Sequence, residues 1–452
     1  MLGWSWDWFL ELKSQKLDIA TCPVAGINDE SFMTAMSHEL IDGRFDGLGR
    51  WQDGWLESIF YTENKKWVVR IPTEPALYDA WGKLQREVAT MQYVQRNTAI
   101  PIQKIIAYGR DQQLTTTGLT TPAFLILDYV PGQSFNKKAF ITAKKEDRLN
   151  FYAELLEVFV QLRDLEFPLA GSLMPAADDG REPVVGEVIT IATNHLQQEG
   201  RDVGDRSAFT STTDYIWHLY YILSQIHEMP IDGASREDIE MQIFSLDNLK
   251  GLIPEFIDSR SDKGPFLLMH PDLRVNNIIV DENFHIQGII DWEWTGTVPL
   301  QMFTPPAWIT GQDLDHRAEI RGIDIFAEFR DALQAKGRDS SRYDKLVEDW
   351  SFEQKFSIPI AHILLHPSSL ELSYSMFIHP TLFKESYTKA AAQTVPQYFS
   401  ENGRAEQLQK RLDESERYTE YLKEHGLFVP TPPEQLELFN QIRELDERRK
   451  RK

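Results

Sequence analysis

The stretch 267–296, LLMHPDLRVNNIIVDENFHIQGIIDWEWTG, gathers the side chains that could do chemistry together. Asp272 follows the apolar run Phe266-Leu267-Leu268-Met269, and Asn277 comes one tight loop later. Asp291 ends a second apolar pair, Ile278-Ile279-Val280 and Ile286 to Ile290, joined by the turn Asp281-Glu282-Asn283. Two short strands with a turn between them return Asp291 to the side of Asn277. Two carboxylates and an amide oxygen at strand ends are what phosphoryl transfer from ATP requires. Mg²⁺ takes hard oxygen ligands, one or two of them from protein. A further carboxylate must orient the acceptor hydroxyl and take its proton. Arg274 lies within reach of the same phosphate, whose charge must be neutralised. Singly, each residue has an ordinary alternative: Asp after a strand caps a turn, and Asn276 and Asn277 are both turn formers. The combination carries the reading. His270 is expected to brace the loop by a hydrogen bond rather than to transfer a proton.

The elements that must position these groups can be read in order. Ser58 to Thr62 and Trp67 to Ile71 are β-rich runs flanking the polar turn Glu63-Asn64-Lys65-Lys66, a hairpin pattern. Pro72 and Pro75 end it. Leu77, Trp81, Leu84, Val88, Met91 and Val94 recur at helical spacing over 76–96. Ile105 to Tyr108 and Ala123 to Leu127 are two more strands, and Val130-Pro131-Gly132 is a turn. From 146 the pattern becomes helical, with Leu149, Tyr152, Leu155, Leu156, Phe159 and Leu162 on one face. Residues 170–206, rich in Gly, Pro and Asp, read as loop. Helices are expected over 212–228, over 236–258 and almost throughout after Pro306.

His270-x-Asp272 with Asn277, followed by Ile290-Asp291-Trp292-Glu293, resembles the catalytic and metal motifs of the aminoglycoside phosphotransferase and choline kinase superfamily. The phrase from Gly288 to Gly296, with Pro299, Pro305, Pro306 and Trp308, is similar to the large fungal phosphotransferase-like branch. The resemblance covers roughly 45–135 and 265–310 by motif. It implies an α+β, bilobal protein-kinase-like fold with a small β-rich N-lobe and a large mainly helical C-lobe. The expected division is an N-terminal extension over 1–44, a nucleotide-binding N-lobe over 45–130, a C-lobe over 131–430 and a helical tail over 431–452. Asp272 is implied as catalytic base, and Asn277 and Asp291 as Mg²⁺ ligands.

The small lobe should then hold ATP. A kinase sets a cation on its third strand and a helix carboxylate behind it. Where the family usually has Lys, the candidate here is Arg70, with Glu87 as its partner. Lys83, one turn earlier, offers the ordinary alternative of a surface pair with Glu87. Gly54 and Ser58 lie in the run that should cover the phosphates, although no clean G-x-G-x-x-G stands there and plain turn glycines read equally well. Ile126 to Val130 resembles the segment linking two lobes, so the backbone at Asp128 and Val130 is expected to face adenine.

Composition bounds the rest. The chain has 452 residues, 42% of them hydrophobic, enough for a large core. A net charge of -22 opposes nucleic acid and anionic membrane, and it serves solubility as readily as attraction of a cationic partner. Cys22 is the only cysteine, so no intrachain disulfide forms. Without a signal-like start or a long apolar run, the cytoplasm is the expected location. No P-loop, H-E-x-x-H or G-x-S-x-G occurs. A non-catalytic nucleotide-binding scaffold is the alternative, supported by the degenerate glycine run. Against it stands the retained Asp272/Asn277/Asp291 set. The expected partners are ATP and a small-molecule acceptor bearing a hydroxyl or an amine.

Overall fold

β-Branched and aromatic residues dominate 55–61 and 66–71, and such side chains suit a pleated, half-buried surface. In the computed structural model they form β2 (Trp55–Tyr61) and β3 (Lys66–Pro72), with a short β1 (Trp51–Gln52) before them. The structure describes residues 51–52, 55–61, 66–72, 77–110, 123–176, 182–312, 324–351, 356–384, 393–401 and 403–428. Gly54, the extension over 1–44 with Cys22, and the tail over 431–452 lie outside the described residues. Ser58 is described in its backbone alone, opposite Val69.

Helix α1 (Ala80–Asn97) starts where the Asp79 carboxylate accepts the Gly82 N–H at 2.9 Å, an N-cap that satisfies one orphan donor. Strands β4 (Ile105–Gly109) and β5 (Phe124–Asp128) complete an antiparallel sheet in the order β1-β2-β3-β5-β4. Leu84, Val88, Met91 and Val94 of α1 are buried with Leu125 and Leu127 of the sheet in one apolar core. This is the small lobe, and β3 lies inside its sheet, between β2 and β5.

The chain leaves β5 through Val130-Pro131-Gly132 and enters β6 (Gln133–Ser134). Gly132 has φ +131°, and a Cβ there would meet the Val280 carbonyl at 2.6 Å, so the turn requires glycine. The larger lobe follows with α2 (Lys137–Thr142), α3 (Lys145–Arg163), β7 (Glu166–Phe167), β8 (Gly171–Met174), β9 (Val184–Val185) and α4 (Ile191–Gln198). Then come α5 (Thr212–His227), α6 (Arg236–Phe256), β10 (Phe266–Met269), β11 (Ile278–Val280), β12 (Ile286–Ile289) and β13 (Gly296–Pro299). Among the described residues after them helices prevail, including α7 (Ala307–Thr310), α8 (Ile325–Asp339) and α9 (Ser357–Leu365). The fold is α+β and bilobal, of the protein-kinase-like kind.

Two departures from the sequence reading have clear causes. Residues 170–206 are not all loop, since they contain β8, β9 and α4. On α3, Leu149 is exposed, whereas Arg148 is buried in a 2.7 Å ion pair with Glu328 of α8. The docked helix takes a buried charge pair at its first turns and turns the leucine out.

Two sheets carry the stretch 267–296. β10 pairs with β13 and β7, and β13 pairs with β8. β11 pairs with β12 on one side and with β6 on the other, so the strand after the inter-lobe turn belongs to the hairpin that leads to Asp291. Beneath it Phe135 stacks on Phe151 at 4.6 Å and packs against Phe140 and Trp308. Each fully buried Phe contributes about 1.5–3 kcal/mol, so the hairpin stands on a firm floor. The small lobe also touches the hairpin directly: Ile289 donates its N–H to the Pro101 carbonyl at 2.7 Å.

Candidate active site

The loop after β10 is shaped by its own side chains. Asn277 is buried, and its amide donates to the Asp272 main-chain oxygen at 2.8 Å and to Asp272 Oδ2 at 3.0 Å. Both amide hydrogens are thereby used, which leaves Oδ1 as the oxygen available to a cation. Asn276 beside it is exposed, so the two asparagines are not interchangeable. Arg274 grips the Asp272 carboxylate through Nε and Nη2 at 2.8–3.0 Å. Burial pushes the Asp272 carboxyl above the ordinary range, with Arg274 opposing. A carboxylate raised in this way is a better proton acceptor near neutral pH.

His270 holds this loop to the next strand. Its Nε2 faces the Ile290 carbonyl at 3.0 Å, and the ring meets Trp292 edge-on at 4.9 Å. Burial lowers the imidazole's affinity for a proton, so the neutral ring donates Nε2–H to that carbonyl. Ile290 in turn donates its N–H to the Asn277 carbonyl at 3.0 Å. One residue thus ties both the loop at His270 and Asn277 to the strand end that carries Asp291. From the far side Trp308 donates Nε1–H to the Leu273 carbonyl at 3.1 Å. Asp291 itself has φ +68°, a left-handed conformation that Asp tolerates better than most residues.

Arg70 of β3 is buried, and its fork divides between two partners. Nη1 pairs with Glu87 of α1, and Nη2 with Asp291 Oδ1 at 2.9 Å. Arginine suits this place because one guanidinium reaches two carboxylates at once, one from each lobe. Lys83 is not the surface partner of Glu87. It is buried, paired with Glu293, and its ammonium sits 3.8 Å above the Trp294 ring. Glu293 also lies 3.8 Å from Arg70. Burial pushes the Glu293 carboxyl up and the Lys83 ammonium down. Reading α1 for its apolar period missed this pair. The acidic residue two positions after Asp291 was the available signal, together with a lysine on the α1 turn that carries Glu87.

Breaking that pair should cost stability. Lys83→Met is expected to lower the unfolding free energy by about 3 kcal/mol in urea titration, because it strands a buried carboxylate. Adding Glu293→Gln should recover at least half of the loss. A single-variant loss near zero would remove the pair from the account of how the Asp291 segment is held.

The remaining sequence candidates fall as follows. The Asp128 N–H donates to the Lys104 carbonyl at 2.9 Å and its carbonyl accepts Gln103 Nε2 at 3.1 Å, so its main chain already serves the small lobe. Burial pushes the Asp128 carboxyl up. Tyr129 donates its N–H to Lys66 at 3.2 Å, while Val130 N–H has no partner among the described residues. Beside Asp272 a cavity opens, walled by Val188, Ile189, Met269, Trp294 and Leu365.

The residues present fit a Mg²⁺ ion. The available Oδ1 of Asn277 and the Asp291 carboxylate are both hard oxygens, the kind this ion takes from protein.

A model of the phosphotransferase enzyme family, APH, matches residues 52–301, more than half of the chain. The chain belongs to that family. Clavilactone A biosynthesis cluster protein Y of Ampulloclitocybe clavipes is 23% identical to it over 239 residues, 51% of this chain and 54% of that protein. The chain thus spans about half the length of this curated relative. Among solved structures, the GDP complex of wild-type aminoglycoside 2'-phosphotransferase-IIIa is 11% identical, with a TM-score of 0.42, covering 83% of this chain and 99% of that one. An apo thermostable mutant of aminoglycoside phosphotransferase APH(4)-Ia is 13% identical, with a TM-score of 0.41, covering 77% and 92%. Among the described residues no helix is long and apolar enough to cross a membrane.

Proposed function

We propose that the chain transfers the γ-phosphoryl group of ATP to a hydroxyl of a small molecule. The observation that carries this reading is the assembly of Asp272, Asn277 and Asp291 around Ile290, locked to the small lobe by Arg70. Asp272 orients the acceptor hydroxyl and takes its proton. The acceptor oxygen forms the new bond to phosphorus as the bond to the bridging oxygen of ADP breaks, and that oxygen keeps the electron pair. Asn277 and Asp291 would hold Mg²⁺, which supplies positive charge to the phosphate oxygens when bound. Arg70 would turn the arm that now meets Asp291 to phosphate, with Glu87 fixing its direction, and Val130 N–H would be the linker donor to adenine. Arg274 fixes the Asp272 carboxylate and brings a second guanidinium near the transferred group. Gly54 and Ser58, which precede β3 in the chain, would cover the phosphates. The retained polar set favours this reading over a scaffold, which needs no buried amide bonded to a carboxylate at this loop.

Calorimetric titration with ATP tests it. Wild type is expected to bind at least about tenfold more tightly with Mg²⁺ than with EDTA, the scale of a charged contact of about 1.5–3 kcal/mol. Asp291→Asn keeps a residue tolerant of φ +68° and removes the charge, so most of that difference should vanish. Equal affinity with and without Mg²⁺ in the wild type would sink the reading.

A further inference from the structure

The cavity beside Asp272 carries information about the acceptor that the phosphate chemistry does not. Among its described wall residues, Asp272 and His366 are the only ones that could carry charge near neutral pH. Desolvation and the nearby Arg274 guanidinium push His366 down to about 4, so it stays neutral. Three of the wall's four hydroxyls are engaged within the protein, and the fourth belongs to the buried Tyr215. Ser172 accepts the Ile189 N–H at 3.3 Å, Thr190 caps α4 by accepting the Thr193 N–H at 3.1 Å, and Thr297 donates to the Leu169 carbonyl at 2.8 Å. Apart from the Tyr215 hydroxyl and the Trp294 indole N–H, the side chains that remain are apolar. Ile191 is 44% exposed on this wall, beside Ile189, Val188, Met269 and Leu365. The indole N–H of Trp294 is buried and has no hydrogen-bond partner among the described residues.

Such a wall is a poor host for a polycation. Each ammonium group brought into it needs a carboxylate or its own water, and desolvating an unpaired charge is far costlier than burying a hydrocarbon. A polyhydroxylated sugar fares little better, because its hydroxyls lose water and find few free partners. A hydrocarbon skeleton gains from the same surface. The chain's net charge of -22 would draw cations toward the protein, yet the described cavity wall holds no carboxylate for them beyond Asp272.

We propose that the acceptor is a neutral, largely apolar small alcohol, seated on Val188, Ile189, Met269 and Leu365 with its single hydroxyl at Asp272. This rests on the phosphotransferase reading for the role of Asp272, but not for the chemistry of the wall. The hydroxyl proton passes to Asp272, the alcohol oxygen bonds to the γ-phosphorus of ATP, and ADP leaves with the electron pair.

Equilibrium binding to the full chain without nucleotide separates the two readings. The probes are geraniol and cyclohexanol as apolar alcohols, kanamycin as a polycation and glucose as a polyol. At least one apolar alcohol is expected to bind at least about tenfold more tightly than kanamycin or glucose, the scale on which an apolar pocket discriminates. Ile189→Asp, at a half-buried wall position, should weaken that alcohol by about tenfold and strengthen kanamycin. Val188→Ser is the milder companion, with a smaller loss for the alcohol. Mg·ATP affinity of the same variants reports whether the fold survives. Kanamycin or glucose binding more tightly than every alcohol would overturn the proposal, as would failure of both alcohols to bind. Loss of Mg·ATP binding in the wild type would instead strike the phosphotransferase reading and leave the alcohol result standing.

Discussion

Replacing Asp272 by Asn is expected to lower phosphoryl transfer by about 10²–10⁴ while nucleotide affinity stays within about twofold. The substitution is nearly isosteric and keeps an oxygen for the Asn277 amide, which now donates to Asp272 Oδ2 at 3.0 Å. What disappears is the base and half of the Arg274 ion pair, and Arg274 is exposed enough to find water. The paired measurement is ATP affinity and product formation on the same variant. An enzyme loses turnover alone, whereas a scaffold has none to lose. Undiminished turnover would take the base role away from Asp272.

Arg70→Ala is expected to have the largest effect on the resting protein. It leaves Glu87, Asp291 and Glu293 facing one another, two of them buried, with Lys83 as the remaining cation of the cluster. A stability loss of about 3–5 kcal/mol in urea titration is the scale for breaking a buried pair from one side. At a temperature where the variant remains folded, the KM for ATP should rise by about tenfold or more. Arg70→Lys separates charge from geometry, because an ammonium keeps the charge and loses the fork that reaches Glu87 and Asp291 together. A KM within twofold of wild type in the alanine variant would end the assignment of Arg70 to phosphate.

Much of this centre was legible in the sequence for a local reason. Asp272, Asn277 and Asp291 sit within one loop and one hairpin, so strand spacing alone brings them together. Arg70 and Glu87 were legible through the kinase resemblance, which sets a third-strand cation against a helix carboxylate. Lys83 was not. Helical spacing places it on the same face as Glu87, and that rule is silent on which charged face a second lobe will cover. Here Glu293, remote in sequence, covers it. The region over 170–206 was illegible for a different reason. Gly171 reads as a loop residue, but β8 exists through pairing with β13 and β9, and a Cβ at Gly171 would stand 2.1 Å from the Gly186 carbonyl. That glycine marks a close backbone approach, and composition does not distinguish the two. The cavity beside Asp272 lies partly on this region, so its chemistry was hidden with it.

The fastenings between the lobes share one short stretch of chain. The continuation of the Gly132 turn is stapled to Ile279 and Val280 as β6, Ile289 donates to the Pro101 carbonyl, and Arg70 and Lys83 of the small lobe pair with Asp291 and Glu293. All four fall on residues 279–293. Like a keystone, the Asp291 end bears on both sides at once, so a movement of one lobe against the other must carry it along or break one of these contacts.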